Sequence, residues 1–303
     1  MQPADHHDVP AMPVPAHLVT SWPVGTFVEN IALLPDGDFV VSLHNRHELV
    51  RVGRDGTTSL LAILPASPAG VVAAADGVFV AAGEPGSGPH AIFHVGFNGS
   101  VRRLLDVPNT LFLNGFTPAR PGFAYCVDSI MGSVYEIDFT RAAARVVLTH
   151  ELLGKISADP MMPGVNGIKL GDDALWLTNT DRALILRAAM DGDGPDGTLD
   201  VVAEHLRGDD LALDKAGNLY ITTHIHNTLI RLARDGDRVA LAGPDQGLHG
   251  ATACAFGPAP DDDDALFATT TGGIVMPVDG ITREAKLVRL DVGAPGRPLP
   301  IEH

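Results

Sequence analysis

Glu29, Asn114, Asn166 and Asp209 share two properties that matter for chemistry: oxygen-bearing side chains and a regular spacing along the chain. Each opens a short apolar run, in ENIALL, NGFTP, NGIKL and DDLALD. Two carboxylates and two amide oxygens, with no Cys or His among them, are the donor set of a hard divalent cation. Calcium suits such a set because it accepts irregular, all-oxygen geometry, and manganese, magnesium or zinc can occupy a similar one. Asn-Gly and Asp-Asp are also ordinary turn residues, so the weight rests on their common phase and not on any one of them.

The phase comes from an internal repeat. The segments ENIALLPDGDFVVSLHNRHELVRVGRDG from Glu29 and DDLALDKAGNLYITTHIHNTLIRLARDG from Asp209 follow one pattern. A short apolar strand leads into a turn (PDGD or KAGN). A second apolar strand follows, then a polar break, a third strand and a closing Asp-Gly. Units of the same kind open at Gly70, Asn114, Asn166 and Gly250, so successive openers are 41, 44, 52, 43 and 41 residues apart. A fourth strand fits each connecting stretch: TSLLAIL, VRRLLDV, ARVVLTH, LDVVAEH and RVALAG. Six such units predict an all-β, six-bladed propeller of four-stranded blades. HLVTSW, near the N-terminus, is expected as the outer strand of the sixth blade beside AKLVRLDV, which closes the ring and removes exposed edges. The propeller domain is therefore expected over residues 16–292, with Pro-rich mobile tails at 1–15 and 293–303.

Bulk composition agrees and narrows the function classes. Gly (33) and Pro (23) are abundant among the 303 residues, as in turn-rich β proteins. The formal charge of −16 opposes nucleic acid and anionic lipid as partners. The run Asp261-Asp262-Asp263-Asp264 reads as a solvated loop tip. Cys126 and Cys254 lie in apolar stretches and are expected as buried free thiols. No stretch is long and apolar enough to span a bilayer, and the N-terminus lacks the basic and apolar regions of a secretory leader, so the cytoplasm is the expected location. Nothing in the sequence bears on oligomeric state.

With these motifs in order, the chain resembles the calcium-dependent propellers that include gluconolactonase (senescence marker protein), diisopropyl-fluorophosphatase and paraoxonase; strictosidine synthase shares their fold. The resemblance spans roughly residues 29–273. It implies that Glu29 in VEN, Asn114 in FLNG, Asn166 in VNGIKL and Asp209 in GDDLALD hold the metal. Paraoxonase-like members use the residue after the fifth-blade aspartate as a further ligand, here Asp210. Gluconolactonases have Gly at that position and Glu-Gly-Pro on the first blade, where this chain has Glu-Asn-Ile-Ala.

The implied reaction is hydrolysis of a lactone or related ester of a small-molecule substrate. The metal would polarise the carbonyl, and Asp209 would serve as base or nucleophile, with Asp210 as second candidate. His224 and His249 are candidate proton shuttles. His44, Leu113, Phe116, Met161, Met162 and Asn179 are candidate substrate contacts, with Trp22 as a further apolar wall. The stretch ISADPMMPGVNG lies in the longest step and would shape specificity. Two other readings stay open on the same scaffold: a non-hydrolytic isomerase, cyclase or condensing enzyme, and a non-catalytic propeller whose calcium is structural.

Overall fold

The structure is a computed structural model that describes residues 9–88, 90–159, 162–192 and 194–298. The strand β1 (Ala16–Trp22) comes first in the chain and last in the ring. Blade I follows as β2 (Val28–Leu33), β3 (Phe39–Leu43), β4 (Glu48–Val52) and β5 (Thr58–Ile63). Blade II contains β6 (Pro68–Ala73), β7 (Gly77–Ala82), β8 (His90–Gly96) and β9 (Val101–Val107). Blade III contains β10 (Leu113–Pro118), β11 (Phe123–Asp128), β12 (Ser133–Asp138) and β13 (Ala143–Thr149). Blade IV contains β14 (Val165–Leu170), β15 (Ala174–Asn179), β16 (Leu184–Asp191) and β17 (Gly194–Glu204). Blade V contains β18 (Leu211–Leu213), β19 (Leu219–Thr223), β20 (Thr228–Leu232) and β21 (Arg238–Ala242). Blade VI contains β22 (Ala251–Phe256), β23 (Leu266–Thr270) and β24 (Ala285–Leu290), completed by β1.

Each blade is an antiparallel meander, and the six-bladed, four-stranded propeller expected from the repeat is the observed fold. The ring closes as expected: β1 runs antiparallel to β24, with Ala16 opposite Leu290 and Trp22 opposite Ala285. Alternation along each strand sends successive side chains to opposite faces of a blade. Val40 therefore packs towards blade II and Val41 towards blade VI. The result is six apolar cores, one in every cleft between neighbouring blades. The free thiols Cys126 and Cys254 are buried in two of them.

Both ends of the described chain are held down, within stretches the composition marks as tails. Met12 and Val14 donate backbone hydrogen bonds to Ala240 and Leu241 on the outer strand of blade V. At the other end, Gly296 bridges to Asp214, and Arg297 N–H donates to Leu213 C=O at 2.9 Å. Among the described residues, no helix is long and apolar enough to cross a membrane.

Candidate functional site

The inner strands β2, β6, β10, β14, β18 and β22 surround the central channel, and their starts lie at one end of it. Local irregularity there re-aims the side chains. In five of these strands the pairing register slips at the opening residues, as between Val28 and Asn30 or between Val165 and Ile168. Such bulges bend a strand and turn a side chain out of the regular alternation.

Hydroxyls on the second strands then lock neighbouring blades together. Ser42 Oγ accepts from Asn30 N–H and donates to Ala69 C=O of the next blade at 2.8 Å. Thr178 Oγ1 does the same between Gly167 N–H and Asp209 C=O, and Thr222 Oγ1 between Asp210 N–H and Thr252 C=O. These bonds define equivalent positions in the blades. The true openers are Glu29, Ala69, Asn114, Asn166, Asp209 and Thr252. Gly70 and Gly250, the openers expected for blades II and VI, are therefore displaced by one and two residues. Glycine carries no side-chain signal, so a bulge leaves its phase ambiguous in sequence.

The Asn-Gly pairs prove to be strand residues and not turns. A Cβ on Gly115 would stand 2.2 Å from Asn166 C=O, and one on Gly70 would stand 2.2 Å from Asn114 C=O. Glycine is needed here because the backbone of one blade runs directly against the opener of the next.

The four expected ligands come together in part through direct contacts. Asn114 Nδ2 donates to Asn166 Oδ1 at 2.6 Å, and Asn166 Nδ2 donates to Asp209 Oδ1 and to Thr180 Oγ1, each at 3.0 Å. Glu29 faces the same space. Burial, aided by the nearby Asp210 charge, raises its carboxyl to about 7. Asp209 is pushed well above the ordinary carboxylate range by burial first and by Glu29 and Asp210 second. Among the described residues nothing donates a hydrogen bond to the Glu29 carboxylate, and neither it nor Asp209 has a Lys or Arg partner. No trio of His, Cys, Asp and Glu among the described residues gathers at metal-binding range. The candidate set is the mixed one of carboxylates and amides. Two buried carboxylates without a cation fit a divalent ion in charge and in donor chemistry.

Asp210 is arranged differently. Its Oδ1 accepts from Lys169 Nζ at 2.7 Å in a buried ion pair, and its Oδ2 is buried without a partner. Lys169 is a site residue that the repeat pattern does not flag. Its signal in the sequence is a lone Lys within the apolar inner strand VNGIKL, but its partner lies 41 residues away on the next blade.

The histidines separate into two groups. His224 Nδ1 lies 3.5 Å from Asp209 Oδ2, and its Nε2 meets Thr271 Oγ1 at 3.0 Å. Burial lowers it to about 4, so it is neutral near pH 7. Gly250 has φ +67°, and a Cβ there would stand 2.2 Å from Thr271 Oγ1, the partner of His224, and 3.0 Å from the His224 ring. His44 meets Pro68 C=O through Nδ1 at 3.0 Å, and burial lowers it too. Its ring lies 5.8 Å from Phe27 and 6.2 Å from Phe112, while Phe27 meets His224 edge-on at 5.5 Å. Phe27 and Phe112 each precede an opener by two residues, just before the strand begins, and with His44 between them they form an aromatic rim. That shared two-residue spacing is the sequence signal for the rim, and neither residue is among the expected substrate contacts. His249 is not joined to Asp209 or Glu29 by a hydrogen bond or ion pair among the described residues, and burial and the charges of Arg283 and Lys286 hold it below its ordinary value.

Several expected substrate contacts move into the scaffold. Leu113 is fully buried in the core between blades II and III. Phe116 is in the same core and also lines a cavity at the other end of the channel. Trp22 packs between blades VI and I. Asn179 is fully buried, and its amide donates to Leu152, Leu153 and Gly154 carbonyls while its Oδ1 accepts from Arg182 N–H. It anchors the long connection into blade IV and has no bond left for a substrate. Met162 is half-buried on that connection; Met161 lies outside the described residues.

No protein-family model and no curated protein matches this chain. Solved structures do. Regucalcin from Agrobacterium tumefaciens, described as a calcium-binding protein, matches with a TM-score of 0.75 at 16% identity, over 97% of this chain and 99% of that one. A luciferin-regenerating enzyme matches with a TM-score of 0.73 at 11% identity, over 96% and 100%. A gluconolactonase from Xanthomonas campestris matches with a TM-score of 0.66 at 16% identity, over 94% and 90%. The propeller is thus the fold of the regucalcin and gluconolactonase-type proteins that the sequence resembles.

Proposed function

We propose that the chain is a divalent-metal-dependent hydrolase acting on a lactone or related ester of a small molecule, with calcium as the metal. The observation that carries this reading is the pair of buried, cation-free carboxylates, Glu29 and Asp209, set beside Asn114 and Asn166 at one end of the channel. The similarity to regucalcin and to a gluconolactonase supports it.

Glu29 and Asp209 would hold the ion through carboxylate oxygens, and Asn114 and Asn166 through amide oxygens once their mutual hydrogen bond is released. When bound, the ion would supply Lewis-acid polarisation of a carbonyl oxygen. The remaining roles belong to the chain. Asp209 would act as base or nucleophile. Neutral His224, 3.5 Å from Asp209 Oδ2, is placed to receive a proton at Nδ1. Phe27, Phe112 and His44 make a partly apolar rim that orients the substrate and limits water. Asp210 is ion-paired with Lys169, and its charge adds to the burial that raises Glu29 and Asp209.

The test is metal analysis of the purified protein with a lactone panel assayed in 18O-labelled water. Chelator-sensitive ring opening with one 18O incorporated supports the reading. Metal-free protein that hydrolyses at full rate, or bound metal with no lactone or ester turnover, overturns it.

A further inference from the structure

The opposite end of the channel holds a cavity of about 320 Å³ that the proposed reaction does not use. Its walls are apolar and mostly small: Ala32, Val72, Phe116, Ala212, Ala255 and Phe256. The C-terminal segment builds one side of the mouth. Arg297 N–H donates to Leu213 C=O at 2.9 Å, Gly296 N–H to Asp263 C=O at 2.7 Å, and Lys215 N–H to Pro295 C=O at 2.9 Å. A Cβ on Gly296 would stand 2.1 Å from the Phe256 ring, so this wall is closely fitted.

Two polar side chains reach the cavity at its deep end, Asn30 and Lys169. Asn30 is only 6% exposed, and its Oδ1 is engaged by Ile31 N–H, yet its Nδ2 has no acceptor among the described residues. Lys169 Nζ gives one of its N–H bonds to Asp210, at 2.7 Å, and has others to offer. Donors that line a cavity can exchange water for a ligand oxygen as their acceptor. The charged groups at the mouth are already matched: Lys215 with Asp263 and Arg297 with Asp172.

We propose that this cavity is a second ligand site, for a small uncharged molecule with an apolar body and one hydrogen-bond acceptor such as a carbonyl oxygen. The acceptor follows from the Asn30 and Lys169 donors. The lack of charge follows from the pairing around them. Asp210 already neutralises Lys169, and the mouth charges are paired, so no uncompensated positive charge is left to offset the desolvation of a carboxylate in the cavity. The apolar body follows from the walls, and the cavity is large enough for a small ligand.

Acetophenone, ethylbenzene and benzoate test each part, because they share a ring and differ in the head group. Their binding to the full chain is followed by methyl NMR, with Val72, Ala212 and Ala255 as reporters. Acetophenone should shift those three signals and bind about ten-fold more tightly than either analogue, as one satisfied hydrogen bond requires. Ala255→Phe fills the cavity and should abolish the shifts while leaving metal binding unchanged. Should that variant not fold, the map on the unaltered protein decides. Shifts gathered at Leu111 by the opposite mouth, equal binding of all three probes, tightest binding of benzoate, or no binding would each overturn the proposal.

Discussion

The two ends of the channel are built from the same six inner strands, and they carry opposite chemistry. At the opener end, bulges and close-packed glycines turn Glu29, Asn114, Asn166 and Asp209 inward. Among the described residues no Lys or Arg pairs with either carboxylate there. At the far end the same strands run in regular alternation and present Ala32, Val72, Ala212 and Ala255 to an apolar cavity. The ion pair of Lys169 and Asp210 stands between the two. The difference teaches that position along the inner strand, more than blade identity, decides what the channel can bind.

The largest expected effect removes the charge of the opener end. Asp209→Asn should lower kcat/KM for the best lactone by roughly a thousandfold, and Glu29→Gln should do similarly, because each removes a charged group acting on the reacting centre. Calorimetric titration should show metal affinity falling in parallel. Normal affinity with lost turnover in Asp209→Asn would assign that residue to catalysis alone.

The boundary between the ends comes next. Lys169→Met leaves Asp210 buried and unpaired, which should cost about 3 kcal/mol or more of stability in denaturant titration. Lys169→Met combined with Asp210→Leu should recover most of that loss. A single variant as stable as the parent would mean that water or metal already serves Asp210.

The blades are legible in the sequence because strand length, turn residues and the Asp-Gly ends recur in register, and ring closure follows from the one strand left over before the first unit, which supplies the fourth strand of the last. The ligand phase is legible only where a polar side chain marks it. In blades II and VI glycines hide the bulge, and Ala69 and Thr252 take the places expected for Gly70 and Gly250. Leu113 and Phe116 are core residues and not substrate contacts because closeness to Asn114 in sequence does not mean a common face. A bulge lies between Leu113 and Phe116, and both side chains lie in the inter-blade core. The partners of Lys169 and Asn179 lie on other segments, so local spacing carries no trace of their bonds.

The metal-free protein offers a third way to sharpen the comparison, through pH. Glu29 holds its proton in the folded state up to about 7, against an ordinary value of 4.5. Between those values the unfolded chain has lost a proton that the folded chain keeps, so this group lowers stability as pH rises. His224 acts in the opposite sense. It is lowered from 6.5 to about 4, so its contribution lowers stability as pH falls through that interval. Asp209, also raised, acts in the same sense as Glu29. Glu29→Gln removes the Glu29 contribution, so the variant should gain on the parent as pH rises from 4.5 to 7, by on the order of 3 kcal/mol. Added calcium should reverse the ranking at pH 8. Thermal unfolding of both proteins across pH, with and without metal, checks this.

The smallest effect compares a small added group at each end, one carbon at Gly115 and two at Ala255. Gly115→Ala places a Cβ 2.2 Å from Asn166 C=O, a backbone atom that cannot move without shifting blade IV. The expected cost is about 2 kcal/mol, within the usual range for overpacking, together with weaker metal binding because Asn166 is displaced. Ala255→Val makes a comparable addition at the far end, but into open cavity, and should change stability by less than about 0.5 kcal/mol. It should leave metal affinity untouched. If both substitutions cost the same, the far end is closed in solution and the contrast between the ends fails. If Gly115→Ala costs stability but leaves metal affinity intact, the glycines serve only to pack the blades, and the opener side chains reach the ion without them.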